Sequence, residues 1–303
     1  MQLTEDVVPA VSCLVVVLAL PLNLVAIYIL CACIKRKSST TMLMINLAVA
    51  DVLFVCCLFF IIPYYFMANV WVFGLFLCHF VYTVFFTTTY VSTLSMMAIS
   101  VDRYLAILYP IKSKVWRNKV WGCMASAIIW VVVLIHILPI NLVNLMNIDP
   151  AHNTSEAASS CYDNFSQDDL HFIEGLRLVL CIVLYVIPLF VTSYCYASIM
   201  KVLLSKNVLS MRKEKKTRAI KLIIITMLIY LFCFGCYNAT HVIGYVSHSN
   251  IWWRPLSLVF NTFNCMLDPL IYYFASFTCQ EVLKRYFSQK RRLSNGNEAP
   301  LDT

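Results

Sequence analysis

The chain has 303 residues, of which 61% are hydrophobic and 13% charged, and its net charge is +8. Soluble domains average nearer half apolar and a quarter charged, so a soluble globular protein is excluded. A nucleic-acid partner is excluded too, because the Lys and Arg residues are scattered among short connections between apolar blocks.

Seven mostly apolar blocks follow one another at about 8–33, 42–68, 76–101, 120–143, 176–200, 219–246 and 251–275. Each holds roughly 20 residues or more, enough to cross about 30 Å of hydrocarbon. Unpaired backbone groups are costly in lipid, so each block is expected to be a helix. The first block is too long for a signal peptide, has no basic residue before it and ends in Lys35-Arg36-Lys37; it reads as a retained span. The predicted fold is therefore an all-α membrane protein, a seven-transmembrane helix bundle occupying residues 1–288. A short amphipathic interfacial helix is expected from Phe277 to Phe287, and 289–303 forms a short cytoplasmic tail with Ser294 as its serine. No internal repeat or low-complexity tract interrupts the pattern.

Orientation follows from the basic residues. Lys35, Arg36 and Lys37 lie in the first connection, and Lys112, Lys114, Arg117 and Lys119 in the third. The fifth, about 201–221, carries eight basic residues against Glu214. The fourth is acidic, with Asp149, Glu156, Asp163, Asp168 and Asp169. By the positive-inside rule the basic loops and the carboxyl tail are cytoplasmic and the amino terminus extracellular. Of the fourteen cysteines most lie within spans and behave as small buried hydrophobes.

Ionisable groups inside a span are expensive and mark function. Asp51 stands mid-span in Asn46-Leu47-Ala48-Val49-Ala50-Asp51, Asp102-Arg103-Tyr104 closes the third span, and Asp268-Pro269-Leu270-Ile271-Tyr272 lies in the seventh. Asn23, Trp130 and Pro188 stand in spans 1, 4 and 5. In this order, one per span, these residues resemble the rhodopsin-like (class A) G-protein-coupled receptors over about 8–288. The resemblance implies a plasma-membrane receptor in which Arg103 gates a cytoplasmic cavity for a heterotrimeric G protein and Asp102 holds Arg103 by a charge-assisted bond. Tyr104 completes that motif, and Tyr196 and Tyr272 swing toward the cavity on activation. It implies a disulfide between Cys78 and Cys161, and an interior sodium site from Asp51, Ser92, Asn264 and Asp268. No other cofactor is implied. Asn153-Thr154-Ser155 and Asn164-Phe165-Ser166 are sequons in the acidic loop. The basic stretch Arg212, Lys213, Lys215, Lys216 and Arg218 suits either the G protein or anionic lipid headgroups, and Cys279 is a candidate for palmitoylation.

Three further cations, Arg177, His241 and Arg254, belong to the outer halves of the spans. Arg254, Asn261 and Asp268 are spaced by seven and share a helix face; Phe234, Tyr237 and His241 form one stripe. Three basic groups facing an apolar cavity, with no acidic residue expected nearby, call for an anion, and a guanidinium fork suits a carboxylate. The runs Phe85-Phe86-Thr87-Thr88-Thr89-Tyr90, Leu176-Arg177-Leu178, Cys233 to Tyr245 and Trp252-Trp253-Arg254 resemble the free fatty acid receptors, most of all the members that sense short-chain acids. That resemblance implies a carboxylate held by Arg177, Arg254 and His241, with His136, Tyr90 and Tyr237 in the same cavity. It further implies acetate, propionate or butyrate as agonists, Gi/o coupling with Gq as a second route, and arrestin as a further partner, weakly recruited for want of tail serines.

Rival readings remain. Another anion, such as a nucleotide, lysophospholipid or longer fatty acid, fits the same basic groups. Arg177 and Arg254 also suit snorkelling anchors, and His136, Tyr90 and Tyr237 suit ordinary packing. A channel or transporter would leave the motifs unexplained, an opsin lacks its Lys in span 7, and no nucleophile–base pair, metal cluster or phosphate loop supports an enzyme. Three residues depart from the family pattern. Cys236 replaces the span-6 proline, so a straighter or stiffer helix is expected there unless Gly235 keeps some bend; Asp102 stands where short-chain members have Glu; Pro255 follows Arg254.

Overall fold

The structure, a computed structural model, describes residues 2–35, 37–67, 69–146, 161, 167–205, 213–247, 254–276, 279–282 and 288. Seven long helical elements form the bundle. Helix α1 is Gln2–Tyr28 with a π-helical end at Ile29–Cys33; α2 is Ser39–Phe66, α3 Leu75–Leu108 and α4 Lys119–Met146. Helix α5 runs Gln167–Cys181, a π turn Ile182–Val186, then Ile187–Leu204. Helix α6 runs Lys213–Leu228, a π turn Ile229–Phe234, then Gly235–Ser247, and α7 is Arg254–Ala275. Six stretches are long and apolar enough to cross a membrane: Val7–Cys33, Ser39–Phe66, Leu75–Leu108, Lys119–Leu142, Phe172–Leu204 and Lys216–Ser247. The seventh helix is diluted by Asn261, Asn264 and Asp268, all buried.

Large apolar side chains cover the outside of the bundle, among them Val17, Phe59, Phe190, Phe232 and Val246, each more than half exposed. That is the inverse of a soluble fold and matches a surface solvated by lipid tails. With both phases apolar, helix association depends on close packing and on polar links. Asn23 Nδ2 donates to Cys265 O at 2.7 Å, joining α1 to α7. Trp130 Nε1 donates to Asn46 Oδ1 at 2.8 Å and Asn46 Nδ2 to Ser95 Oγ at 2.8 Å, which links α4, α2 and α3 through one amide. Where α4 begins, a Cβ on Gly122 would lie 2.7 Å from Met42 Cβ and 2.8 Å from Ser39 O, so only glycine lets α4 sit this close to α2.

Where Cys236 stands in place of proline, α6 departs from regular helix just before it. A π turn ends at Phe234, immediately before Gly235, so the departure from regular helix is kept without proline. Tyr185, in the π turn of α5, donates to Tyr230 O at 3.3 Å, in the π turn of α6. A Cβ on Gly235 would meet the Tyr185 hydroxyl at 2.9 Å, so the glycine leaves room for that bond. Helix α7 starts at Arg254, which places Pro255 in the first turn, where its missing N–H costs nothing. Of the expected interfacial helix, residues 279–282 are helical; the rest of Phe277 to Phe287, and the tail 289–303, lie outside the described residues apart from Ser288. Cys279 is buried, and burial pushes its thiol up, which disfavours the thiolate that acylation requires.

Candidate functional site

Cys78, in the first turns of α3, is disulfide-bonded to Cys161, with Cα atoms 6.0 Å apart. The bond ties the connection after α4 across one mouth of the bundle, and Tyr64 Oη donates to Cys161 O at 3.5 Å beneath it. The sequons at Asn153 and Asn164, and Trp252 and Trp253, lie outside the described residues.

Below this mouth the expected cations meet. Arg254, at the start of α7, puts Nη2 3.3 Å from His241 Nδ1 on α6. A guanidinium only donates, so His241 Nδ1 accepts, and the ring proton sits on Nε2. Arg177, half-buried on α5, is in electrostatic range of both His241 and Arg254. Tyr90 and Tyr237, both buried, stand in range of the same arginines. The stripe on α6 holds: Phe234, Tyr237 and His241 are all buried, with the Tyr237 and His241 rings edge to face at 4.6 Å. Phe86 of α3 stacks parallel to Tyr237 at 6.3 Å. One wall is therefore aromatic and the opposite end cationic.

One expectation changes here. The cations do have an acid nearby: Glu174, one helical turn before Arg177 on α5 and half-buried, lies in electrostatic range of Arg254. It falls just before the apolar block that marks span 5, which is why hydropathy passes over it. His136, on α4, pairs its Nδ1 with Val132 O of its own helix at 2.7 Å.

In the middle of the bundle, Asp51 and Asp268 are both fully buried. Tyr272 Oη donates to Asp51 Oδ2 at 3.0 Å and Ser92 Oγ to Asp51 Oδ1 at 3.5 Å. Both Asp268 oxygens lack a hydrogen-bond donor among the described residues. Asn264, buried on the same helix as Asp268, accepts from Cys265 N at its Oδ1 at 2.7 Å. Paired buried carboxylates in so dry a place require a cation or a shared proton.

At the far mouth, Asp102 is buried and bidentate with Arg117: Nε to Oδ1 and Nη2 to Oδ2, each 3.1 Å. Thr40 of α2 also donates to it. Asp102 thus has a partner the motif did not name, an arginine from the α3–α4 connection. Arg103 stays in electrostatic range of Asp102, Arg117, Arg218 and Tyr196. Arg218 Nε donates to Phe274 O at 2.8 Å, holding the first turns of α6 against the last turns of α7. Tyr104 and the buried Tyr196 pack in one apolar cluster with Leu203 and Ile223 from α5 and α6. Arg117, Thr40 and Glu174 were not marked as partners by any motif, because only folding brings them to these charges.

Residues 22–272 match the family described as 7 transmembrane receptor (rhodopsin family). The human free fatty acid receptor 2 is 33% identical over 205 residues, covering 68% of this chain and 60% of that receptor. Proteinase-activated receptor 1 of Xenopus laevis is 33% identical over 280 residues, covering 91% and 65%. Lysophosphatidic acid receptor 6 of Gallus gallus is 34% identical over 284 residues, covering 90% and 91%. The matched stretch spans less than two thirds of the first two relatives. The family model and these relatives are all receptors. The chain belongs to the rhodopsin family of seven-transmembrane receptors.

Proposed function

We propose that this receptor is switched by a small carboxylate, with short-chain fatty acids such as acetate, propionate and butyrate as its agonists. The observation that supports this is the convergence of Arg177, His241 and Arg254 beside Tyr90 and Tyr237. A carboxylate there accepts from the guanidinium groups and from His241 Nε2, and displaces the weaker attraction of Glu174. The disulfide mouth faces the outside and the Asp102 mouth the cytoplasm, in keeping with the basic connections. The anion draws α5, α6 and α7 together at the outer end. It thereby favours an arrangement in which the inner end of α6 leaves α7 and opens the cavity beside Arg103 to a G protein of the Gi/o class, with Gq as a second route. Asp51, Ser92 and Asp268 suit a sodium ion, which would supply positive charge to the two carboxylates.

Size bounds the affinity. Small ligands gain at most about 1.5 kcal/mol per heavy atom, roughly 6 kcal/mol for acetate. That corresponds to tens of micromolar at best, so responses belong in the high-micromolar to millimolar range. A second reading, a receptor for another or larger anion, draws on the similarity to lysophosphatidic acid receptor 6.

The test is G-protein activation titrated with acetate, propionate, butyrate, hexanoate, a long-chain acid and a lysophospholipid, alongside Arg177→Ala and Arg254→Ala with surface amounts measured. Removing one partner of a desolvated charge pair costs about 2–5 kcal/mol, so each variant is expected to lose roughly 30-fold in potency or more. Responses unchanged in both variants, or activation by the lysophospholipid alone, would refute the carboxylate anchor for short acids.

A further inference from the structure

An alkyl chain needs an apolar sleeve beneath its carboxylate, and this site does not end in one. Asn261 lies seven residues after Arg254 on the same face of α7, about 10 Å further along the axis. It is fully buried. Its Nδ2 donates to Thr89 Oγ1 on α3 at 3.1 Å. The Thr89 hydroxyl spends its own proton on Phe85 O at 3.0 Å, so it can only accept from Asn261, which fixes the orientation of the amide. Asn261 Oδ1 is left as a buried acceptor without a donor. Thr89 is the neighbour of Tyr90, which stands in range of Arg177 and Arg254, so the acceptor belongs to the interior beneath the cations.

The neighbouring amide shows the contrast. Asn238 of α6 is also buried, yet its Nδ2 donates to Phe234 O at 2.9 Å and its Oδ1 accepts from Tyr90 Oη at 3.4 Å. Among the described residues, His241 Nε2 is a buried donor with no hydrogen-bond partner. The site therefore offers a donor among its cations and an acceptor deeper down. A plain fatty acid satisfies the first and buries a methyl group against the second.

We infer that the preferred ligand is a carboxylic acid carrying a hydroxyl on the part remote from its carboxylate, and that Asn261 Oδ1 accepts the hydrogen bond from that hydroxyl. The inference rests on the carboxylate reading of Arg177, His241 and Arg254. Leaving a buried acceptor unpaired costs about tenfold in affinity, so a matched hydroxyl gains about that factor over its alkyl counterpart. A hydroxyl next to the carboxylate gains nothing, because it does not reach α7 below the cations.

The experiment compares, on the whole receptor, butyrate with 2-, 3- and 4-hydroxybutyrate and pentanoate with 5-hydroxypentanoate. The expected result is a potency gain of about tenfold for a remote hydroxyl over the plain acid of equal length, and none for 2-hydroxybutyrate. Asn261→Leu should remove or reverse that gain, read as the ratio of hydroxylated to plain potency within each receptor; Thr89→Val, which frees the amide to turn, should blunt it. Equal potency of plain and hydroxylated acids in the parent receptor overturns the Asn261 subsite while the carboxylate anchor stands. Silence toward both series in a well-expressed receptor overturns the anchor itself, and the subsite with it. The comparison in the parent receptor decides the matter even where a variant fails to reach the surface.

Discussion

Asp102 is held between two arginines that compete for it. Arg117 takes both its oxygens in a fork, and Arg103, the next residue along α3, remains within electrostatic range. A carboxylate engaged bidentately has less to offer a second cation, and we propose that Arg117 thereby opposes closure of Asp102 on Arg103. Replacing Arg117 by Gln should let that closure occur and lower agonist-independent nucleotide exchange, by roughly two- to fivefold for a half-buried pair worth about 0.5–1 kcal/mol. Asp102→Asn should raise it. Exchange measured in membranes without agonist checks both, and unchanged basal exchange in Arg117→Gln would refute the competition. The residues of the motif were legible in the sequence, but the pairing was not. Arg117 is fifteen residues from Asp102 in a connection without helical periodicity, and no spacing rule reaches across it.

Among the elements, α6 shows how a missing residue is replaced by geometry. Proline bends a helix by removing a donor. Here the same region is widened by a π turn, and the Tyr230 carbonyl is taken by the Tyr185 hydroxyl from α5. Gly235 supplies the space. Tyr185→Phe leaves that buried carbonyl without its outside donor, at about 1–3 kcal/mol. The melting temperature of the purified receptor should fall, and the distance between α5 and α6 probed by paired spin labels should broaden; an unchanged melting temperature would mean the bond carries no weight. Cys236 was visible as a departure. Gly235 beside it was visible too, as a residue able to keep some bend; the Tyr185 donor and the π turn were not, because the donor lies on another helix and a π turn leaves no mark in apolar periodicity.

For the whole molecule, Asp51 and Asp268 lie fully buried between the Arg254–His241 mouth and the Asp102 mouth. Any cation held there favours the arrangement that gathers the two carboxylates, and linkage makes its effect reciprocal with whatever binds at either end. With Asp51, Ser92 and Asp268 suited to sodium, melting in sodium chloride should be higher than in choline chloride at equal ionic strength, by a few degrees. Asp51→Asn should abolish the difference, since it removes half the negative charge. Equal melting in both salts for the parent receptor would assign the site to a shared proton instead.

The sequence by itself determined the class of molecule. Apolar blocks of membrane-spanning length leave the backbone no alternative to helices, and seven of them bearing Asn23, Asp51, Asp102-Arg103-Tyr104, Trp130, Pro188 and Asp268-Pro269 identify the receptor architecture. It also placed Arg254 and Asn261 on one face and Phe234, Tyr237 and His241 on another, because helical periodicity is a local rule. The tertiary structure alone decided which groups meet across helices: Arg254 with His241, Asn261 with Thr89, Tyr185 with Tyr230, Asp102 with Arg117, and Glu174 beside Arg254. Those contacts depend on the separation, rotation and depth of helices distant in sequence, which packing sets and no spacing along one chain encodes.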